Sequence, residues 1–297
     1  DISASDATLS SLGRMQQVNG KLNAVIMDLS EQAMDRASLL DYKREQGEDC
    51  GPLHGVPITI KVNVDQAGCA TTNGILALKD FVAHEDAPVV KNLQDAGAIV
   101  IGRTNTPEFS FRTETDNPLH GRTNNPWGCH ISPGGSSGGA GVAVMAGIGA
   151  LGHGNDIGGS LRFPAAANGA FTLKAGISRV PAWNSSQKTE RGILAQSMSV
   201  QGVITRSATD LELAMPSLVR ADPRDPFHVP LPYRMEPKSS KIKVAFWRET
   251  PGFETHPEVY KALDSAAEAL RDAGYKVEEK EPPLLEETAN TGYGALL

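Results

Sequence analysis

Two glycine–serine segments bracket a run of small residues, and no other stretch of the chain limits its fold as much. The first is Ser132-Pro133-Gly134-Gly135-Ser136-Ser137-Gly138-Gly139, and the second is Gly154-Asn155-Asp156-Ile157-Gly158-Gly159-Ser160-Leu161-Arg162. The Ala, Gly and Val residues between them predict a helix over 137–150 that can approach another backbone closely, since it carries no bulky face. Apolar patterning predicts strands over 21–27, 57–64, 98–101, 241–247 and 275–279. It predicts helices over 30–46, capped by Ser30, over 88–96 and 257–274, and after a Ser207 cap. Helices alternating with strands imply an α/β chain, a sheet wrapped by helices. Residues 105–133 read as one long loop of the kind that carries function, and 223–240 as a proline-rich connection.

Of 297 residues, 40% are apolar, enough for a substantial core. The net charge of −7 argues against nucleic acid as a general partner. Cys50, Cys69 and Cys129 fit no zinc spacing and no complete disulfide set, so they are expected as free thiols in a reducing compartment. The seven histidines form no HExxH pattern. The run from Gly141 to Leu151 is too short and glycine-rich to span a bilayer, and the polar, acidic start is not a signal peptide. The expectation is a cytoplasmic protein without a membrane partner. The chain lacks an initiator Met, and its last residues carry no stop signal. A single domain over 1–297, cut short at its C-terminus, is therefore expected.

The chemistry concentrates in three places. Lys61 stands in the apolar segment Pro57-Ile58-Thr59-Ile60-Lys61-Val62. A strand-end lysine can snorkel to water, or it can be desolvated and become a usable base. The Ser136–Ser137 loop lacks the GxxxxGK[ST] pattern of a nucleotide cradle. It matches GxSxG at both serines, but Pro126 and Pro133 oppose the strand that a nucleophile elbow needs before it. The Asp156–Ser160 segment is either a simple Gly-Gly turn or a loop that presents the Ser160 hydroxyl beside free backbone amides, as a tetrahedral oxyanion requires. Taken together, these are the parts of a serine nucleophile driven by a lysine base. Phe109, Phe111, Trp127 and Phe163 serve equally well as an apolar acyl pocket or as core.

Lys61, the double-serine loop and Gly158-Gly159-Ser160-Leu161-Arg162 resemble the amidase signature family. The separations of 75 residues from Lys61 to Ser136 and of 24 from Ser136 to Ser160 match its layout. Gly51-Pro52-Leu53-His54-Gly55-Val56-Pro57, Thr104-Asn105-Thr106-Pro107-Glu108-Phe109, Asn125-Pro126-Trp127, Pro164 and Leu173-Lys174 also fall where the family has them. The resemblance runs from about residue 10 to about 285. It implies the amidase signature fold, a large mixed twisted sheet covered by helices on both faces.

The resemblance also implies hydrolysis of a linear carboxylic amide through an acyl-enzyme, without metal or organic cofactor. Ser160 would be the nucleophile, and Lys61 the neutral base. Ser136, after a cis Gly135–Ser136 bond, would bridge the two in one hydrogen-bonded row. The N–H groups of Ile157, Gly158, Gly159 and Ser160 would form the oxyanion hole, with Ser137, Asp156 and Arg162 bracing the loops. The partner implied is a small-molecule amide, and a homodimer is left open. One alternative is the transamidation component of a glutamyl-tRNA amidotransferase (its A-type chain), although those proteins usually carry Gln where Phe163 stands. Another is a truncated, non-catalytic relative. The chain departs from the family pattern at Asn155, where threonine is usual, and at Ala175-Gly176.

Overall fold

Ile58-Thr59-Ile60 and Ile99-Val100-Ile101 are β-branched runs without a polar face, the composition that suits strands covered on both sides. A computed structural model describes residues 2–187, 192–233, 242–250, 252 and 254–296, and the chain divides into two compact units, Asp1–Tyr233 and Arg234–Leu297. In chain order the first unit contains α1 (Ala4–Leu22), β1 (Val25–Asp28), α2 (Ser30–Glu45), β2 (Pro57–Lys61), α3 (Pro88–Asp95), β3 (Ile99–Thr104) and α4 (Gly138–Met145). It continues with β4 (Leu151–Asp156), α5 (Arg162–Asn168), β5 (Phe171–Thr172), α6 (Ile193–Met198), β6 (Val200–Thr205) and α7 (Ala208–Leu218).

The six strands form one mixed sheet in the order β1-β3-β2-β4-β6-β5. Strands β3, β2 and β4 run parallel, with Ile58 opposite both Val100 and Leu151. The outer pairs, β1 with β3, β4 with β6 and β6 with β5, are antiparallel. Every residue of β2 and β3 is buried. On one face Ile58, Ile60, Val100, Leu151 and Val203 pack with α3 and α7. On the other, Val25, Ile99 and Ile101 pack with α1, α2 and α4.

Helix α4 is the small-residue helix expected between the glycine–serine segments. Seven of its eight residues are buried. It packs against β1, β2, β3, β4 and β6, and a Cβ on Gly139 would meet the Asn105 nitrogen at 2.5 Å. The helix is shorter than predicted. Gly147 and Gly149 adopt φ of 84° and 79°, a left-handed backbone that ends a helix and starts a turn.

Other boundaries also differ from the sequence reading: β2 ends at Lys61 rather than at 64, and β3 runs on to Thr104 rather than ending at 101. Residues 21–22 end α1 rather than begin a strand. Ser30 is the first residue of α2, not its cap, and its N–H donates to Asp28 Oδ1 at 2.8 Å. Ser207 does cap α7, accepting from Asp210 N.

Residues 105–133 contain neither α-helix nor strand, and only a 3-10 turn at Glu108–Ser110. Backbone without a ladder needs other partners, and buried side-chain amides supply them. Asn117 Nδ2 donates to Asn105 Oδ1 and to Thr106 O, both at 2.8 Å, and Asn105 Nδ2 donates to Gly121 O at 3.0 Å.

The second unit holds a parallel pair, β7 (Lys243–Phe246) and β8 (Lys276–Glu279), with α8 (Pro257–Asp272) packed on β8 and α9 (Leu285–Leu296) following. These elements lie where the pattern predicts strand, helix and strand. Lys241 and the part of the 223–240 connection from Arg234 on fall outside the described residues. No helix of the described residues is long and apolar enough to cross a membrane.

Candidate active site

Three backbones converge at the carboxyl ends of the parallel strands, where open α/β sheets place their ligands. Strand β2 ends in Lys61, β4 ends in Asp156, and α4 begins directly after Ser136-Ser137. The Gly135–Ser136 peptide is cis, as expected.

Lys61 is fully buried. Its Nζ lies 2.6 Å from Ser136 Oγ, 2.8 Å from Asn155 Oδ1 and 3.1 Å from Ser137 Oγ. All three partners are neutral. Burial pushes the amine well below the usual lysine range, and the attraction of Asp156 only partly opposes this. Of the two readings of Lys61, the snorkelling one is therefore excluded.

Asp156 takes five donors. Oδ1 accepts from Gly159 N at 2.8 Å and Arg162 Nη2 at 2.9 Å, and Oδ2 from Leu161 N at 3.0 Å, Arg162 Nε at 3.0 Å and Arg162 N at 3.3 Å. Burial works to raise its carboxyl, but the Arg162 guanidinium and the loop amides outweigh it and hold it at about 2. An ionised Asp156 thus fastens the turn that carries Ser160. His153, buried in β4 with Nε2 2.9 Å from Gln201 Oε1, is kept neutral chiefly by burial, at about 3.

Ser160 sits beside the double-serine loop, with Ser137 N donating to Ser160 O at 3.2 Å. The expected row is formed only in part. Lys61 and Ser136 are bonded, whereas no hydrogen bond joins Ser136 Oγ to Ser160 Oγ. The oxyanion loop also differs from expectation at one amide. Gly159 N–H is taken by Asp156, which leaves the N–H groups of Ile157, Gly158 and Ser160 without an acceptor among the described residues.

Chain spacing does not reveal a pair of asparagines beside the lysine. Asn155 Nδ2 donates to Asn63 Oδ1 at 3.0 Å, and Asn63 Nδ2 donates back to Asn155 Oδ1 at 3.1 Å. In the sequence, Asn155 stands out only as a departure from the family pattern. Phe109, Phe111 and Trp127 are 65–70% exposed and Phe163 is 41% exposed, so packing in the core does not account for them. Among the described residues no three His, Cys, Asp or Glu side chains are grouped to hold a metal ion.

Residues 6–297 match the Amidase family. The chain belongs to that family. It is 52% identical over 95% of its length to an indoleacetamide hydrolase of Bradyrhizobium diazoefficiens, and it covers 54% of that protein. It is 36% identical over 95% of its length to the A-type chain of a glutamyl-tRNA(Gln) amidotransferase of Moorella thermoacetica, covering 58% of it. The fold superimposes on a bacterial aryl acylamidase of the amidase signature enzymes with a TM-score of 0.85 and 31% identity, over 94% of this chain and 58% of that one. The chain thus spans little more than half the length of these amidase relatives.

Proposed function

We propose that this amidase-family chain hydrolyses a small linear carboxylic amide to an acid and ammonia or an amine, through an acyl-enzyme on Ser160. The observation that carries the reading is the buried Lys61 amine, surrounded by neutral partners and 2.6 Å from Ser136 Oγ. An amine held neutral at working pH is a base. As Ser160 attacks the carbonyl carbon, its proton passes to Ser136 and the proton of Ser136 passes to Lys61. Ser136 remains neutral, Lys61 becomes ammonium, and the negative charge goes to the carbonyl oxygen. The Ile157, Gly158 and Ser160 N–H groups, which have no acceptor among the described residues, would receive that oxyanion. Lys61 then returns a proton through Ser136 to the leaving nitrogen as the C–N bond breaks, and water cleaves the ester along the reverse route. Ser137, Asp156 and Arg162 brace the two loops. The scheme requires no metal and no organic cofactor.

The exposed Phe109, Phe111 and Phe163 rings and the likeness to an indoleacetamide hydrolase favour an aromatic acyl group, an arylacetamide. Phe163 also counts against transamidation on a tRNA. Three free cysteines fit a reducing, cytoplasmic setting. The test is mass-spectrometric detection of a fluorophosphonate adduct, together with ammonia release from indole-3-acetamide and from glutamine. A single adduct on Ser160, lost in Ser160→Ala, with release from the aryl amide, is expected. An unlabelled Ser160 would mark a non-catalytic relative, and release from glutamine alone would favour the amidotransferase reading.

A further inference from the structure

A neutral primary amine has two N–H donors and one lone pair, and only the lone pair can accept a proton from Ser136. Where it points depends on what the two N–H groups are bonded to. Around Lys61 Nζ stand three oxygens, those of Ser136, Ser137 and Asn155. The Asn155 amide is oriented by its reciprocal pair with Asn63. Turned over, Asn155 would face Nζ with its NH2 group and would break both bonds to Asn63. Its carbonyl oxygen is thus an obligate acceptor for one N–H of the lysine. Ser137 Oγ lies within hydrogen-bond distance of Asn155 O, 3.3 Å away, and can place its own proton there. That leaves Ser137 Oγ to accept the second N–H.

We propose that Asn155, locked by Asn63, is a positioning residue that takes one N–H of Lys61 while Ser137 takes the other, so that the amine lone pair is aimed at the Ser136 hydroxyl. The inference rests on the Ser–Ser–Lys reading of the site. Asn63 is itself tied down, since its Nδ2 donates to Ser110 Oγ at 2.9 Å. Thr106 Oγ1 is 2.9 Å from Ser110 Oγ and donates to Ser136 O at 2.9 Å. Ser110 Oγ gives its one proton to Asn73 Oδ1 at 2.6 Å, so the clamp and the bridging serine border one polar cluster beside β2 and β4 rather than a closed ring of hydrogen bonds.

The Asn155 clamp has a second consequence. An acceptor oxygen stabilises an ammonium more than an amine, so Asn155 also sets where Lys61 titrates. The charged or titratable groups facing Lys61 are Asp156 and His153 from β4 and Arg103 from β3. The α4 side presents only Ser136 and Ser137, neither of which titrates. Asp156 is ionised and His153 neutral across the neutral range, and an arginine keeps its charge there, so of these groups Lys61 is the one left to shape an ascending limb.

The experiment is the rate of fluorophosphonate labelling of Ser160 against pH, in the parent chain, Asn155→Ala, Asn155→Asp and Asn63→Ala. Asn155→Ala should lower the plateau rate about tenfold and move the midpoint down by about one pH unit, the worth of one hydrogen bond to a charged group. Asn155→Asp places a carboxylate beside the amine and should move the midpoint up by at least as much. Asn63→Ala should follow Asn155→Ala in the same direction and more weakly. Circular dichroism and melting curves identify any variant that has not folded, and the opposite shift of the isosteric Asp variant still decides the matter. Midpoints that stay together in all folded variants would overturn the inference, even if the rates fell. Failure to label Ser160 in the parent chain would overturn the reading of the site, and this inference with it.

Discussion

Lys61 is held where water cannot reach it, and burial disfavours the charged form of its amine. Its folded-state pKa lies well below 10.5. Between those two values the unfolded chain carries a proton that the folded chain has released, so stability rises with pH across that window and is penalised below it. Replacing Lys61 by Met removes the penalty. Lys61→Met should thus abolish turnover while raising the melting temperature at pH 7, by the equivalent of roughly 1 kcal/mol after the partners left unpaired are counted. The gain should shrink as pH approaches 10. Calorimetry at both values checks this, and a variant less stable than the parent by the same amount at each pH would mean that Lys61 is charged in the folded protein. Asp156 is the opposite case, a carboxylate kept ionised by Arg162 and two loop amides. Its contribution is present above the unfolded value near 3.8 and is lost as pH falls towards about 2.

At the scale of elements, α4 gives the site its geometry because its first turn, Gly138-Gly139-Ala140-Gly141, is almost without side chains. Its close approach to Asn105 fixes the residues before it, Ser136 and Ser137, against the end of β2. Gly139→Ala would push a methyl group into the Asn105 backbone. The expected cost is about 1–3 kcal/mol in chemical denaturation, with a matching loss of Ser160 labelling as α4 lifts. An unchanged denaturation midpoint would show that helix and loop can separate freely. Composition makes α4 legible in the sequence, and β-branched runs do the same for β2 and β3. Strand β4 is hidden there, because Gly152, Gly154 and Asn155 have little strand propensity. That segment is extended because β2 and β6 flank it, which is tertiary information. Helix α1 carries its signal in the Ser3–Asp6 capping box, which apolar patterning does not register.

Across the whole molecule, the α/β class is legible because helix and strand patterning survives without coordinates, and the Lys61–Ser136 contact is expected because the family resemblance implies it. The Asn63–Asn155 pair is not, since its members stand 92 positions apart and neither has a chemistry that announces itself. The aromatic rings near the loops are ambiguous until their exposure is known. One further consequence follows from the neutrality of the three groups bonded to Lys61 Nζ. An uncharged amide approaching an uncharged amine has no Coulomb attraction to guide it, despite the net charge of −7 on the chain. Its diffusional encounter should thus be indifferent to ionic strength. The specificity constant for a neutral aryl amide should stay within about twofold between roughly 0.05 and 0.5 M salt, a range over which surface electrostatics are largely screened away. A steep fall would mean that a charged lysine captures the substrate, and that it is not the base.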